Sequence, residues 1–148
     1  VKERMGDYLM DKNKIFDKTF TSQKQCRVMV NYYIQRHKWI MHEHDSDIND
    51  PSCPHLHAIG VNWKMDIYTG CMYLYPNKIY RGRATKKELK RLWSQKSFVD
   101  LVIRERKWYE SEFHSKDPVR YQELPKISVV RKHNKFYMKV SKMSNEVK

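Results

Sequence analysis

His55-Leu56-His57-Ala58-Ile59-Gly60-Val61-Asn62-Trp63 alternates between two kinds of residue. In an extended chain, residues i and i+2 point to the same side. The stretch therefore predicts a strand with His55, His57, Ile59, Val61 and Trp63 on one face. Leu56, Ala58, Gly60 and Asn62 take the other. Both imidazoles then stand side by side on a rigid element. Upstream, Trp39-Ile40-Met41-His42 permits a second strand with unlike faces. Between them Asp45 to Pro54 carries Asp, Asn, Ser and two prolines, and reads as loop.

This region is chemically set apart from the rest of the chain. The 148 residues carry a net charge of +13, yet Trp39 to Trp63 holds no Lys or Arg. The same window contains Glu43, Asp45, Asp47 and Asp50, with four of the seven histidines. A basic chain that keeps one acidic, His-rich island is suited to a cation there and to a polyanion elsewhere. Nucleic acid is the expected partner for such a charge balance.

The wider pattern predicts one domain over residues 1–148, in an order of mixed strands and helices. That order favours α+β with an antiparallel sheet. Residues 1–20 read as an N-terminal arm or helix, and 142–148 as a frayed tail. Arg27 to Ile34 is rich in strand formers. Tyr68 to Tyr75 reads as a strand broken near Gly70. Thr85-Lys86-Lys87-Glu88 has the form of a capping box opening a helix through Leu89, Leu92 and Trp93. A second helix fits Ser97 to Phe113, with Phe98, Leu101, Val102, Trp108 and Tyr109 on one stripe. Ile127 to Val130 and Phe136 to Val140 read as a β-hairpin. Apolar content of 40% argues against disorder. No apolar run approaches the ~20 residues of a membrane span. Three cysteines without a C-x-x-C pair suggest a reducing, intracellular (cytoplasmic) setting.

His55 and His57 on one strand face form a two-point clamp for a divalent ion. A third ligand is expected from the preceding strand end, where His44 and Asp47 sit three apart. Imidazole plus carboxylate suits Mn²⁺, Mg²⁺ or Zn²⁺, and two histidines tilt away from a pure Mg²⁺ site. Such an ion, left with open positions, polarises a phosphodiester.

The motifs His44-Asp45-Ser46-Asp47 and Pro54-His55-Leu56-His57 resemble the metal-binding region of HUH endonucleases. These are the rolling-circle replication initiators of plasmids and small DNA viruses. The resemblance is closest to the plasmid Rep type, with H-D-x-D before a P-H-x-H strand. It implies His44, Asp47, His55 and His57 as ligands of Mn²⁺ or Mg²⁺. It also implies a central antiparallel sheet flanked by helices, of a kind related to the RRM fold. The implied activity is nicking and joining of single-stranded DNA through a 5′-phosphotyrosine. The implied partners are single-stranded DNA or an origin hairpin, with self-association an option and no membrane.

The family places its nucleophilic tyrosine on a helix downstream, before a histidine and a D-N-P-like turn. Trp108 to Gln122 resembles that region. Tyr109 is the first candidate and Tyr121 the second. The spacing departs from the family's, since Tyr109 precedes His114 by five residues. Lys107 and Lys116 flank the region and suit a phosphate. A further basic stretch carries Lys78, Arg81, Arg83, Lys86, Lys87, Lys90 and Arg91 beside Tyr75, Tyr80 and Trp93. Cations interleaved with rings suit a single strand. The C-terminal hairpin adds Arg131, Lys132, Lys135, Lys139 and Lys142.

Two other readings remain open at this level. One is a metal nuclease using activated water, with Glu88 or Glu105 as base. The other is a non-enzymatic nucleic-acid-binding domain with a structural Zn²⁺ on Cys53, His55, His57 and His44.

Overall fold

The computed structural model describes residues 26–132 and 135–140, with side chains described outside 129–138. The expected arm at 1–20 and the tail at 142–148 lie outside the described residues. Within them the fold is α+β. A six-stranded antiparallel sheet runs in the order β1-β2-β3-β4-β5-β6. Its strands are β1 (Arg27–Met29), β2 (Trp39–His42), β3 (His55–Ala58), β4 (Trp63–Asp66), β5 (Cys71–Leu74) and β6 (Ile79–Arg83). Each strand pairs with its neighbour in sequence, so the sheet is a meander. Two helices follow, α1 (Lys86–Leu92) and α2 (Lys96–Tyr109). A π-helical turn, Glu110–His114, prolongs α2. The hairpin β7 (Ile127–Lys132) and β8 (Lys135–Val140) forms a separate two-stranded sheet.

The alternation in the sequence divides the sheet faces. Trp39, Met41, Leu56, Met65 and Met72 are buried on one face. They share a core with Leu92 and Trp93 around α1 and with Phe98, Leu101 and Val102 from α2. Both helices thus cover the same face. Ile127 and Val140 pack against the edge of that core. On the opposite face the register aligns Ile40 with His57, His57 with Lys64, Lys64 with Tyr73, and Tyr73 with Tyr80. Among the described residues no helix covers this face, which carries the polar row.

Three expectations are corrected in their bounds. The strand predicted to run to Trp63 stops at Ala58, because Gly60 takes φ +91 and turns the chain. Trp63 opens the next strand instead. The strand predicted from Tyr68 begins at Cys71. There Asp66 Oδ1 accepts the N–H groups of Tyr68 and Thr69 at 2.8 and 3.2 Å, and holds those residues in a turn. Ile79–Arg83, read only as a basic surface, is the sheet's edge strand. The capping box is present as predicted. Thr85 Oγ1 accepts Glu88 N–H at 3.0 Å, and Glu88 Oε1 accepts Thr85 N–H at 2.9 Å.

Candidate metal centre

The β2–β3 loop brings the acidic residues back over the polar face. His44 and Asn49 adopt left-handed backbone, with φ +53 and +63. Asp45 Oδ1 accepts the Asp47 N–H at 3.1 Å, an Asx turn. The other Asp45 oxygen, Oδ2, points at the strand histidines. It lies 2.6 Å from His57 Nε2 and 3.4 Å from His55 Nε2. The two imidazole rings stand 4.8 Å apart, so they do face the same side. His42, on the neighbouring strand, lies edge-on to His57 at 5.2 Å.

His55 is held in one tautomer. Its Nδ1 lies 2.8 Å from the Ser52 carbonyl, which only accepts, so Nδ1 carries the proton. In the neutral ring Nε2 then presents a lone pair. That atom is buried and has no hydrogen-bond partner among the described residues. A lone pair facing a carboxylate in a buried site is costly unless a cation lies between them. A backbone carbonyl on the far nitrogen is the usual support of a metal-bound histidine. Burial alone would raise the Asp45 carboxyl, but the adjoining His55 and His57 imidazoles and the Asp47 N–H hold it far below the usual carboxylate range. Burial, then the neighbouring His57, lowers the His42 imidazole. The donor set, one carboxylate and two imidazoles within 4.8 Å of one another, fits a divalent ion.

The expected four ligands do not all converge. His55 and His57 come together, and Asp45 stands with them. His44 turns the other way. Its ring stacks on Trp108 at 4.4 Å, and its Nε2 lies 3.7 Å from Glu105 Oε2. Asp47 Oδ2 accepts Lys64 Nζ at 2.6 Å. The expectation assumed that a simple turn folds residues 44 and 47 to one side. The left-handed His44 backbone and the Asx turn at Asp45 instead send the intervening carboxylate inward. The Asp-Ser-Asp run was the available signal, since Asp favours such a turn. His42 and Ser52 were also missed; the strand alternation carries the former, and nothing local marks the latter.

Cys53 is buried, and burial pushes its thiol up to about 12. It does not group with the histidines among the described residues. The proposed Cys53, His44, His55 and His57 zinc set is therefore not assembled. The three cysteines are free.

Tyr109 is 0% exposed. Its hydroxyl accepts Asn49 Nδ2 at 2.6 Å and donates to the Gln122 carbonyl at 2.7 Å. Burial raises the phenol. The residue clasps the β2–β3 loop and the segment at Gln122 to the end of α2. Tyr121 is half-buried, with its ring edge-on to Phe113 at 5.1 Å. Arg120 lies over that ring at 5.0 Å. Glu88 is engaged in its capping box, and Glu105 is buried beside His44.

Lys78, Arg81, Arg83, Lys86, Lys87, Lys90, Arg91 and Lys107 are all exposed. The first seven follow the edge strand and α1, and Lys107 stands apart on α2. Lys78 pairs with Asp50 at 3.1 Å, and Arg91 covers the Tyr32 ring at 4.2 Å. Lys116 pairs with Glu112 at 3.1 Å, and Lys139 is exposed. No helix among the described residues is long and apolar enough to cross a membrane. The chain matches no protein-family model, no curated protein and no solved structure.

Proposed function

We propose that this chain is a metal-dependent endonuclease that nicks and rejoins single-stranded DNA, as an HUH-type replication initiator does. One observation carries the reading. The buried His55 Nε2, without a hydrogen-bond partner among the described residues, meets Asp45 and His57 on the polar face of a strongly basic protein. A divalent ion at these residues, Mn²⁺ or Mg²⁺, would polarise the scissile phosphate and offset its charge. The nitrogen donors favour Mn²⁺ of the two.

The chain's own groups supply the rest. Ser52 fixes the His55 tautomer. The exposed cations of β6 and α1 hold the phosphates, with Tyr80 available for base stacking. In the nicking step a tyrosine oxygen gives up its proton and attacks phosphorus, and the bond to O3′ breaks. The 3′ oxygen leaves with a proton, and the 5′ phosphate stays on the protein. Joining is the reverse, a 3′-OH displacing the tyrosine. Tyr109 is the proposed nucleophile and Tyr121 the alternative. Use of Tyr109 requires its hydroxyl to leave Asn49 and Gln122.

That requirement favours a second reading, in which an activated water cleaves the DNA and no adduct forms. Incubation with single-stranded DNA and Mn²⁺, followed by denaturing electrophoresis, separates the two. A stable adduct lost in Tyr109→Phe or Tyr121→Phe supports the tyrosine route and names the residue. Cleavage without adduct supports water. Absence of cleavage with several DNA sequences and either ion, in protein shown to bind Mn²⁺, counts against both.

A further inference from the structure

A second donor group lies on the opposite side of the β2–β3 loop's first turn. Glu43, His44 and Glu105 place one ligand atom each within 4.8 Å of one another. His44 Nε2 stands 3.9 Å from Glu43 Oε2 and 3.7 Å from Glu105 Oε2. The far atom of each carboxylate is already fixed. Glu43 Oε1 accepts the Cys26 N–H at 2.9 Å, and Glu105 Oε1 accepts the His44 N–H at 2.7 Å. The free oxygens are thereby aimed at the His44 ring. Trp108 stacks on that ring and sets its plane.

Glu105 gives the independent signal. It is 1% exposed, and its Oε2 is buried with no hydrogen-bond partner among the described residues. A carboxylate oxygen stranded in this way is expensive. Among the described residues no lysine or arginine pairs with it: the partner is His44, whose Nε2 lies beyond hydrogen-bond length. The His44 side chain is 46% exposed, so the group opens to solvent on one side.

From this geometry we infer that Glu43, His44 and Glu105 form a second divalent-cation site that ties α2 to the end of β2. One imidazole and two carboxylates suit Zn²⁺ or Mn²⁺. Bonds of ~2.0–2.2 Å put tetrahedral donors ~3.4 Å apart, so the two His44 spacings of 3.9 and 3.7 Å need only a small contraction. The role is structural. The ion neutralises the buried Glu105 oxygen and fixes the loop that carries Asp45. The inference does not rest on the nuclease reading, because it uses neither the Asp45, His55 and His57 group nor a tyrosine.

Equilibrium dialysis with Zn²⁺ alone, with bound metal quantified, tests it on the whole chain. His57→Ala empties the first group, and that variant is expected to retain one Zn²⁺. Adding Glu105→Gln to His57→Ala should weaken the retained ion tenfold or more. Zn²⁺ should raise the melting temperature of the His57→Ala chain, and Glu105→Gln should abolish the rise. Without metal, Glu105→Gln should melt no lower than its parent, since the stranded charge is gone. Glu43→Gln, at a partly exposed position, gives the same binding readout should Glu105→Gln fail to fold. Loss of all Zn²⁺ in His57→Ala overturns the inference. Retention at unchanged affinity after Glu105→Gln, or after Glu43→Gln, also overturns it.

Discussion

The Ser52 carbonyl oxygen accepts the His55 Nδ1 proton at 2.8 Å. This contact turns a strand histidine into a directed lone-pair donor. Ser52 is itself buried, and its hydroxyl donates to the Pro54 carbonyl at 2.6 Å. The loop approaching β3 is therefore built to present Nε2 to the polar face, whatever occupies the space beyond.

Asp45 is expected to matter more than Asp47 for metal affinity. Asp45 Oδ2 faces both strand histidines, whereas Asp47 Oδ2 is taken by Lys64. Asp45→Asn should weaken Mn²⁺ binding by about 10–100-fold. Asp47→Asn should stay within about threefold, the effect of losing a partly exposed ion pair. Calorimetric titration with Mn²⁺ measures both. Equal losses would restore Asp47 to the ligand set.

Tyr109 makes a prediction about stability as well as chemistry. Its hydroxyl is shared by Asn49 and Gln122. Tyr109→Phe leaves both partners short of a bond and should destabilise the fold by about 1–3 kcal/mol. Urea unfolding of the variant reports this directly. An unchanged midpoint would mean that the clasp is open in solution, which would leave the hydroxyl available as a nucleophile.

These contrasts show what the sequence made legible. The period-two pattern at His55–Ala58 carried the shared face of the histidines, because side-chain direction in a strand follows from chain geometry alone. The Thr85–Glu88 capping box was equally readable, since both of its bonds are local. The π-helical turn after Tyr109 overlaps the end of the predicted helix and runs one residue past it, to His114, and its altered winding left no pattern in the residues. The choice of Asp45 over His44 and Asp47 was not readable either. It depends on the sign of φ at His44 and on a turn closed by Asp45, and one residue's backbone conformation redirects three side chains. The surroundings of Glu105 were hidden for another reason: the contact from α2 to the β2–β3 loop spans 61 residues.

Gly70 closes the β4–β5 turn with φ +83, and its N–H donates to the Asp66 carbonyl at 2.7 Å. A Cβ there would sit 3.0 Å from Leu89 Cδ1 and 3.3 Å from Ala84 Cβ. Gly70→Ala meets both left-handed strain and the underside of α1. A loss of about 1–3 kcal/mol is expected. A thermal melt that matches the parent within error would show that α1 gives way freely.

Glu88 links fold stability to acid. Burial alone would raise its carboxyl, but hydrogen bonds from Gln35 and Thr85 outweigh this and hold it below its usual value. The carboxylate accepts Gln35 N–H and Gln35 Nε2–H at 3.1 and 2.9 Å, which joins the chain before β2 to the start of α1. A depressed folded-state value means that the contribution is complete above the unfolded pKa of about 4.3. It is lost as pH falls through the lower folded-state value. Glu88→Gln keeps an acceptor for Thr85 but removes the charge. At pH 6 the variant should be less stable by about 0.5–1 kcal/mol, allowing for solvent screening. As the pH is brought down through the folded-state value the gap should narrow, because the wild-type carboxyl is then being protonated. Urea midpoints taken before and after that fall check the sign. A gap that widens on acidification would show that Glu88 is not the carboxylate whose protonation loosens this corner of the sheet.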